Sequence, residues 1–213
     1  MDKKRDGFFT EERLKKIFTG VTVVAGLTVL ALLLVYAPDG NGKGKSVPDL
    51  AKPISDMELD KTFPNAEIDK KHLEGILFFP DEGRTHVPKD TRVTYKTDPP
   101  TSGFHFDKWL PPSVYEEDTA EPELLVHNLE HGNVVIYFDK ARLGKAEIEA
   151  LVALPKKHAG QWDGVLLVSK KGLSSPVTLT AWRVILRLKA YDAEKISAFL
   201  DAFLGRGPEN PVR

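Results

Sequence analysis

The sequence predicts an α+β fold, a compact mixed sheet with flanking helices, preceded by one N-terminal transmembrane helix. Three observations predict it. Strand-like and helix-like apolar patterns interleave from about Phe63 onward, but without the regular spacing of βαβ units. An uncharged run of 21 residues, 17–37, reaches about 30 Å as a helix, enough to cross a bilayer core. A Gly- and Pro-rich stretch separates the two.

The first 16 residues carry six basic side chains (Lys3, Lys4, Arg5, Arg13, Lys15, Lys16) against four acidic ones. A basic flank stays in the cytoplasm, so the expected topology is single-pass, with the N-terminus inside and the rest exported. A cleaved secretory signal fits less well: its apolar region runs about 7–15 residues, and Val35-Tyr36-Ala37 is a poor cleavage site. Gly40, Gly42, Gly44, Pro38, Pro48 and Pro53 mark a linker. The expected organisation is therefore a cytoplasmic basic segment (1–16), a membrane span (17–37), a linker (38–62) and an extracytoplasmic globular domain (63–213), held in the inner or plasma membrane.

Within the globular part the apolar run Leu73–Phe79 ends at Pro80 and predicts a buried strand. Arg92–Tyr95 predicts a short alternating strand, stopped by the loop Asp98-Pro99-Pro100-Thr101-Ser102-Gly103. Pro122–His131 reads as a helix stopped by Gly132. Val134–Phe138, β-branched and aromatic throughout, is the strongest strand signal. Ile148, Leu151, Val152 and Leu154 have helical spacing over 145–154, which ends at Pro155. Val165–Val168 and Val177–Leu188 return to strand. The last helix covers roughly 193–204, with Asp192 as its N-cap, Ile196, Phe199, Leu200, Phe203 and Leu204 facing inward, and Gly205 as its stop.

Composition excludes several kinds of chemistry. With 213 residues and no Cys, the chain has no thiolate nucleophile, Cys-ligated zinc, iron–sulfur cluster or disulfide. Thirty Lys+Arg against 31 Asp+Glu give no basic face for nucleic acid. No G-x-G-x-x-G or G-x-x-x-x-G-K-[ST] pattern occurs, so nucleotide binding has no support. Ser102 lies three residues before His105, yet there is no G-x-S-x-G elbow, and Ser-Gly there reads as turn chemistry. Trp109, Tyr115, Trp162 and Trp182 read as core or pocket wall.

The histidines are what remain. Four of the six fall within 46 positions: His86, His105, His127 and His131. On a helix His127 and His131 lie one turn apart on one face, a pair that can chelate a divalent ion, with Glu130 beside them. His127-Asn128-Leu129-Glu130-His131 also has the letters of H-x-x-E-H, whose Glu activates a metal-bound water. His105 follows the stiff Pro-Pro-Thr-Ser-Gly loop, and His86 precedes the segment leading into it.

Three functional classes follow. The first is an extracytoplasmic protein binding a divalent transition metal through His86, His105, His127, His131 and Glu130; imidazole-rich sets suit copper(II) or zinc, and only Met1 and Met57 could offer thioethers. The second is a metal-dependent hydrolase with His127 and His131 as ligands and Glu130 as general base. In the third the histidines form a buried polar network with no metal. Binding ranks above catalysis because the motif runs at Gly132 into a strand, leaving little helix for a further ligand. The membrane is the one partner the sequence indicates; it points to no protein partner.

Tyr95, Pro99-Pro100-Thr101-Ser102-Gly103-Phe104-His105, Trp109, Tyr115, Leu125–Gly132 and Val134–Tyr137 resemble the bacterial domain-of-unknown-function family 3105. Leu179–Arg183 and Gly207-Pro208-Glu209 are similar to its closing part, so the resemblance spans roughly 70–210. It implies a single-pass anchored protein with recurring polar positions at His86, His105, His127, Glu130 and His131, and no established activity. Two departures stand out: Phe104 occupies the usual Pro position before His105, and Ser113 the usual Gly before Val-Tyr. The first frees the backbone before His105 and the second removes a flexible turn.

Overall fold

Val134–Phe138 is apolar at every position because it lies in the middle of a sheet covered on both faces. A computed structural model describes Lys52–Pro53 and residues 72–212, all within the unit Lys45–Arg213. The expected span at 17–37, its basic flank and most of the linker lie outside the described residues. Among the described residues no helix is long and apolar enough to cross a membrane.

Six strands form a mixed sheet: β2 (Leu77–Phe78), β3 (Val114–Glu116), β4 (Val134–Phe138), β5 (Val165–Ser169), β6 (Val177–Ala181) and β7 (Val184–Leu188). The two-residue β1 (Lys52–Pro53) adds an edge, giving the order β1-β2-β7-β6-β4-β5-β3. β5 runs parallel to β3 and β4, while β4 with β6, β6 with β7 and β2 with β7 are antiparallel. Among the described residues four α-helices flank it: α1 (Pro122–His131), α2 (Lys145–Val152), α3 (Leu154–Lys157) and α4 (Ala193–Phe203). The class is α+β, as the irregular spacing predicts.

Strand period divides the core in two. Val134, Ile136 and Phe138 of β4 point to one side and pack with Leu151, Ile196, Phe199 and Phe203. Val135 and Tyr137 point to the other and pack with Leu125, Val126 and Leu129 of α1. The helix ends follow their sequence signals. Pro122 opens α1, where its missing N–H costs nothing, and Gly132 closes it at φ 101°. Asp192 caps α4 by accepting from the Lys195 amide at 3.0 Å.

Four expectations are corrected. Of Leu73–Phe79 only Leu77–Phe78 is strand, because residues 72–75 turn and Gly75 takes φ 90°. Residues 92–95 form no strand: the Val93 amide donates to the Glu123 carboxylate at 3.2 Å, and the Tyr95 hydroxyl to the Phe104 carbonyl at 2.8 Å. Pro155 does not end the helical region but sits in the first turn of α3. Residues 177–188 are two strands, a hairpin turned by Trp182 and Arg183, with Arg183 at φ 66°.

Candidate metal centre

Helix α1 lies over β4 and carries the i, i+4 pair. Its Nε2 atoms, on His127 and His131, are 3.0 Å apart. Both rings are buried. The loop 99–105 is secured by Tyr95 on the Phe104 carbonyl and by the Ser102 hydroxyl, which accepts from the Glu82 amide at 3.0 Å. A parallel bridge then joins residues 86 and 105: the Val87 amide donates to the His105 carbonyl at 2.7 Å and the His105 amide to Thr85 at 3.2 Å. Segments far apart in sequence thus deliver His86 and His105 to the helix.

The rings of His86, His105 and His127 form a triangle with centroids 4.9–5.0 Å apart. One nitrogen from each lies within 4.8 Å of the others. Ligands about 2.0–2.1 Å from a tetrahedral ion sit roughly 3.4 Å apart, so small ring rotations close the triad. His86, half exposed, can make them most easily.

Backbone carbonyls fix the ring orientations. His105 Nδ1 lies 2.7 Å from the Gly103 carbonyl and His127 Nδ1 2.6 Å from the Phe106 carbonyl. A carbonyl only accepts, so each Nδ1 carries its proton and each Nε2 faces the cluster. Asn128 holds the segment that supplies Phe106: its amide donates to the Leu110 carbonyl at 2.8 Å and its oxygen accepts from the Leu110 amide at 2.9 Å. Phe104, the first departure from the family, is held in place before His105: its ring packs against Gly83 and its carbonyl accepts from the Tyr95 hydroxyl. At the second departure, the Ser113 carbonyl accepts from Leu167 and aligns β3 on β5.

Glu130 is buried and its Oε2 lies 2.9 Å from His105 Nε2 and 3.8 Å from His86 Nε2. It therefore faces the triad rather than standing over the His127–His131 pair. His105 thus meets a polar oxygen at each ring nitrogen, the Gly103 carbonyl at Nδ1 and Glu130 at Nε2. Burial pushes the Glu130 carboxyl up, but the hydrogen bond from His105 and the surrounding imidazoles outweigh it and hold it below its ordinary range. Burial lowers His127, against the pull of the Phe106 carbonyl. It lowers His131 further, to about 4, helped by His127 beside it. Both rings are neutral at pH 7, the form that binds metal.

Sequence reasoning missed two features. Glu209 Oε2 lies 3.1 Å from His131 Nε2, and His127, His131 and Glu209 form a second group of potential ligands within 4.8 Å. The approach depends on glycine. The Gly205 amide donates to Gly132, and a Cβ on Gly207 would lie 2.1 Å from the Glu130 carbonyl, so only Gly lets the tail cross the end of α1. Gly205-Arg206-Gly207, two glycines directly after a helix, was the available signal. The second is the bridge between residues 86 and 105, which no local pattern announces. The tryptophans read as core or pocket wall do wall the cluster: Trp162 and Trp109 lie 4.2 and 4.7 Å from His131, and Trp182 6.5 Å from His105.

Fold and site together define a small α+β domain that gathers a histidine cluster where the helix covering one sheet face meets the segments of residues 86 and 105 and the C-terminal tail. The chain belongs to the family described as protein of unknown function (DUF3105), whose sequence pattern matches residues 86–213. No curated protein and no solved structure matches the chain.

Proposed function

We propose that the domain binds a divalent transition metal, copper(II) or zinc, through His86, His105 and His127, with the Gly103 carbonyl orienting His105 and the Glu130 carboxylate beside its Nε2 as a further ligand. One observation carries the reading. The two buried histidines commit Nδ1 to backbone carbonyls, which leaves Nε2 of each, now against Glu130 and His131, as the atom to offer a metal beside His86. Metal-ligating histidines are typically held this way, by a hydrogen bond on the other nitrogen. A metal-free network ranks lower because three imidazoles from distant segments converge within 4.8 Å of one another, as a chelating set does. Hydrolysis ranks lower, because a general base needs a free carboxylate beside substrate and Glu130 is buried against His105.

In this reading the protein stands on a single membrane span at 17–37 with the domain outside the cytoplasm, supported by the uncharged run and its basic flank. It acquires or hands on a metal at the membrane surface. The test is elemental analysis of the full chain, purified from its own membrane without chelator, beside His127→Ala. About one copper or zinc per chain in the wild type and none in the variant is expected. A folded wild-type protein that contains neither metal and takes up neither on dialysis would contradict the proposal.

A further inference from the structure

We infer that the metal has a second station, formed by His127, His131 and Glu209, which shares His127 with the three-histidine station so that one ion moves between them without leaving the protein. The inference rests on the metal-binding reading proposed above and extends it to the path of the ion.

Geometry makes these three groups a candidate cation site, since one ligand atom from each lies within 4.8 Å of the others. His127 Nδ1 donates to the Phe106 carbonyl, so its Nε2 offers only a lone pair. His131 Nε2 faces that lone pair at 3.0 Å and the Glu209 carboxylate at 3.1 Å. With its ring proton on Nδ1, on the side of the Gln161 carbonyl, His131 turns its Nε2 lone pair to the other two groups. A cation at their meeting point satisfies all three.

Glu209 is held there by the fold. The Gly205 amide binds the Gly132 carbonyl at 2.8 Å and the Glu209 amide binds the Glu130 carbonyl at 3.3 Å, fastening the tail to the end of α1. Trp162 and Trp109 wall His131.

Exclusive occupancy follows from His127. It has one uncommitted nitrogen, and one lone pair binds one ion, so the two stations are alternatives. Each combines buried ligands with a single exposed one, His86 (47% exposed) in the first and Glu209 (43%) in the second. Either exposed ligand can therefore exchange an ion with a donor or acceptor outside while His127 keeps hold of it. The sets also differ in chemistry, three imidazoles against two imidazoles and a carboxylate, so their affinities differ.

The experiment is a copper(II) titration of the purified full chain, followed by electron paramagnetic resonance, with Glu209→Gln and His86→Ala in parallel. The wild type should bind one copper per chain and give two overlapping spectral components. Glu209→Gln should lose the oxygen-ligated component and His86→Ala the all-nitrogen one, each variant still binding one copper. Two coppers bound at once in the wild type would overturn the sharing of His127. A Glu209→Gln spectrum identical to the wild type, with copper bound, would overturn the second station and leave the three-histidine site standing. Absence of copper binding by folded wild-type protein would overturn both.

Discussion

The two faces of the sheet use the same strand for opposite ends. Toward α4, β4 presents Val134, Ile136 and Phe138 to a dry core of aliphatic and Phe side chains. Toward α1 it presents Val135 and Tyr137, and above them the helix buries Glu123, His127, Asn128, Glu130 and His131. Buried polar groups cost stability unless each finds a partner, whereas buried hydrocarbon stabilises in proportion to its area. One face thus holds the domain together and the other spends part of that stability on a polar site. Changes on the α4 face should move stability without touching metal affinity, and changes on the α1 face should move affinity.

Phe199→Ala is the largest expected effect. Phe199 is fully buried and packs on Phe203 at 4.7 Å between centroids, so its loss should cost about 3–5 kcal/mol in denaturant unfolding. Metal affinity of the folded fraction should be unchanged; a parallel fall in affinity would break the division between the faces.

Asn128→Ala sharpens the comparison from the other side. Asn128 satisfies both backbone groups of Leu110, so about 1–3 kcal/mol of stability should be lost, with weaker metal binding as the Phe106 carbonyl shifts off His127. Unaltered affinity at reduced stability would make Asn128 a purely structural residue.

Glu130→Gln should barely change stability yet weaken metal binding by something like 10–100-fold, because the carboxylate lies 2.9 Å from His105 Nε2, the nitrogen that meets the ion. The amide keeps the shape but lacks the negative charge that offsets the cation. Unchanged affinity together with loss of a hydrolytic activity would instead favour Glu130 as a base.

The smallest effect concerns pH. His131 is held at about 4 when folded against 6.5 as the ordinary value, so unfolded chains bind the extra proton first as pH falls. Its contribution to metal-free stability is complete above about 6.5 and is lost on going down toward 4. In a chelator the melting temperature should fall from pH 7 to pH 5, more steeply for the wild type than for His131→Gln. Parallel slopes would contradict the buried neutral state of His131.

The same contrast explains what the sequence could tell. Helix α1, its Gly132 stop, strand β4 and helix α4 were legible because each is written in local residues: a proline, a left-handed glycine, a β-branched run, an Asp cap. The His127–His131 contact follows from helix period alone. The rest of the site depends on contacts between distant segments. Residue 86 reaches residue 105 through a single bridge, Glu130 turns to His105 25 positions away, and Glu209 arrives on a tail whose path depends on two glycines meeting the end of α1. Residues 92–95 have strand periodicity, yet their hydrogen bonds go to side chains, which no period can reveal.

X-ray absorption at the metal edge of the loaded full chain tests the central claim most directly, because it reads ligand identity and distance without mutation. The account predicts at least two imidazole nitrogens, with the multiple-scattering signature of histidine, at about 2.0–2.1 Å from the copper or zinc. A first shell of oxygens alone, without imidazole scattering, would show that the cluster does not hold the metal.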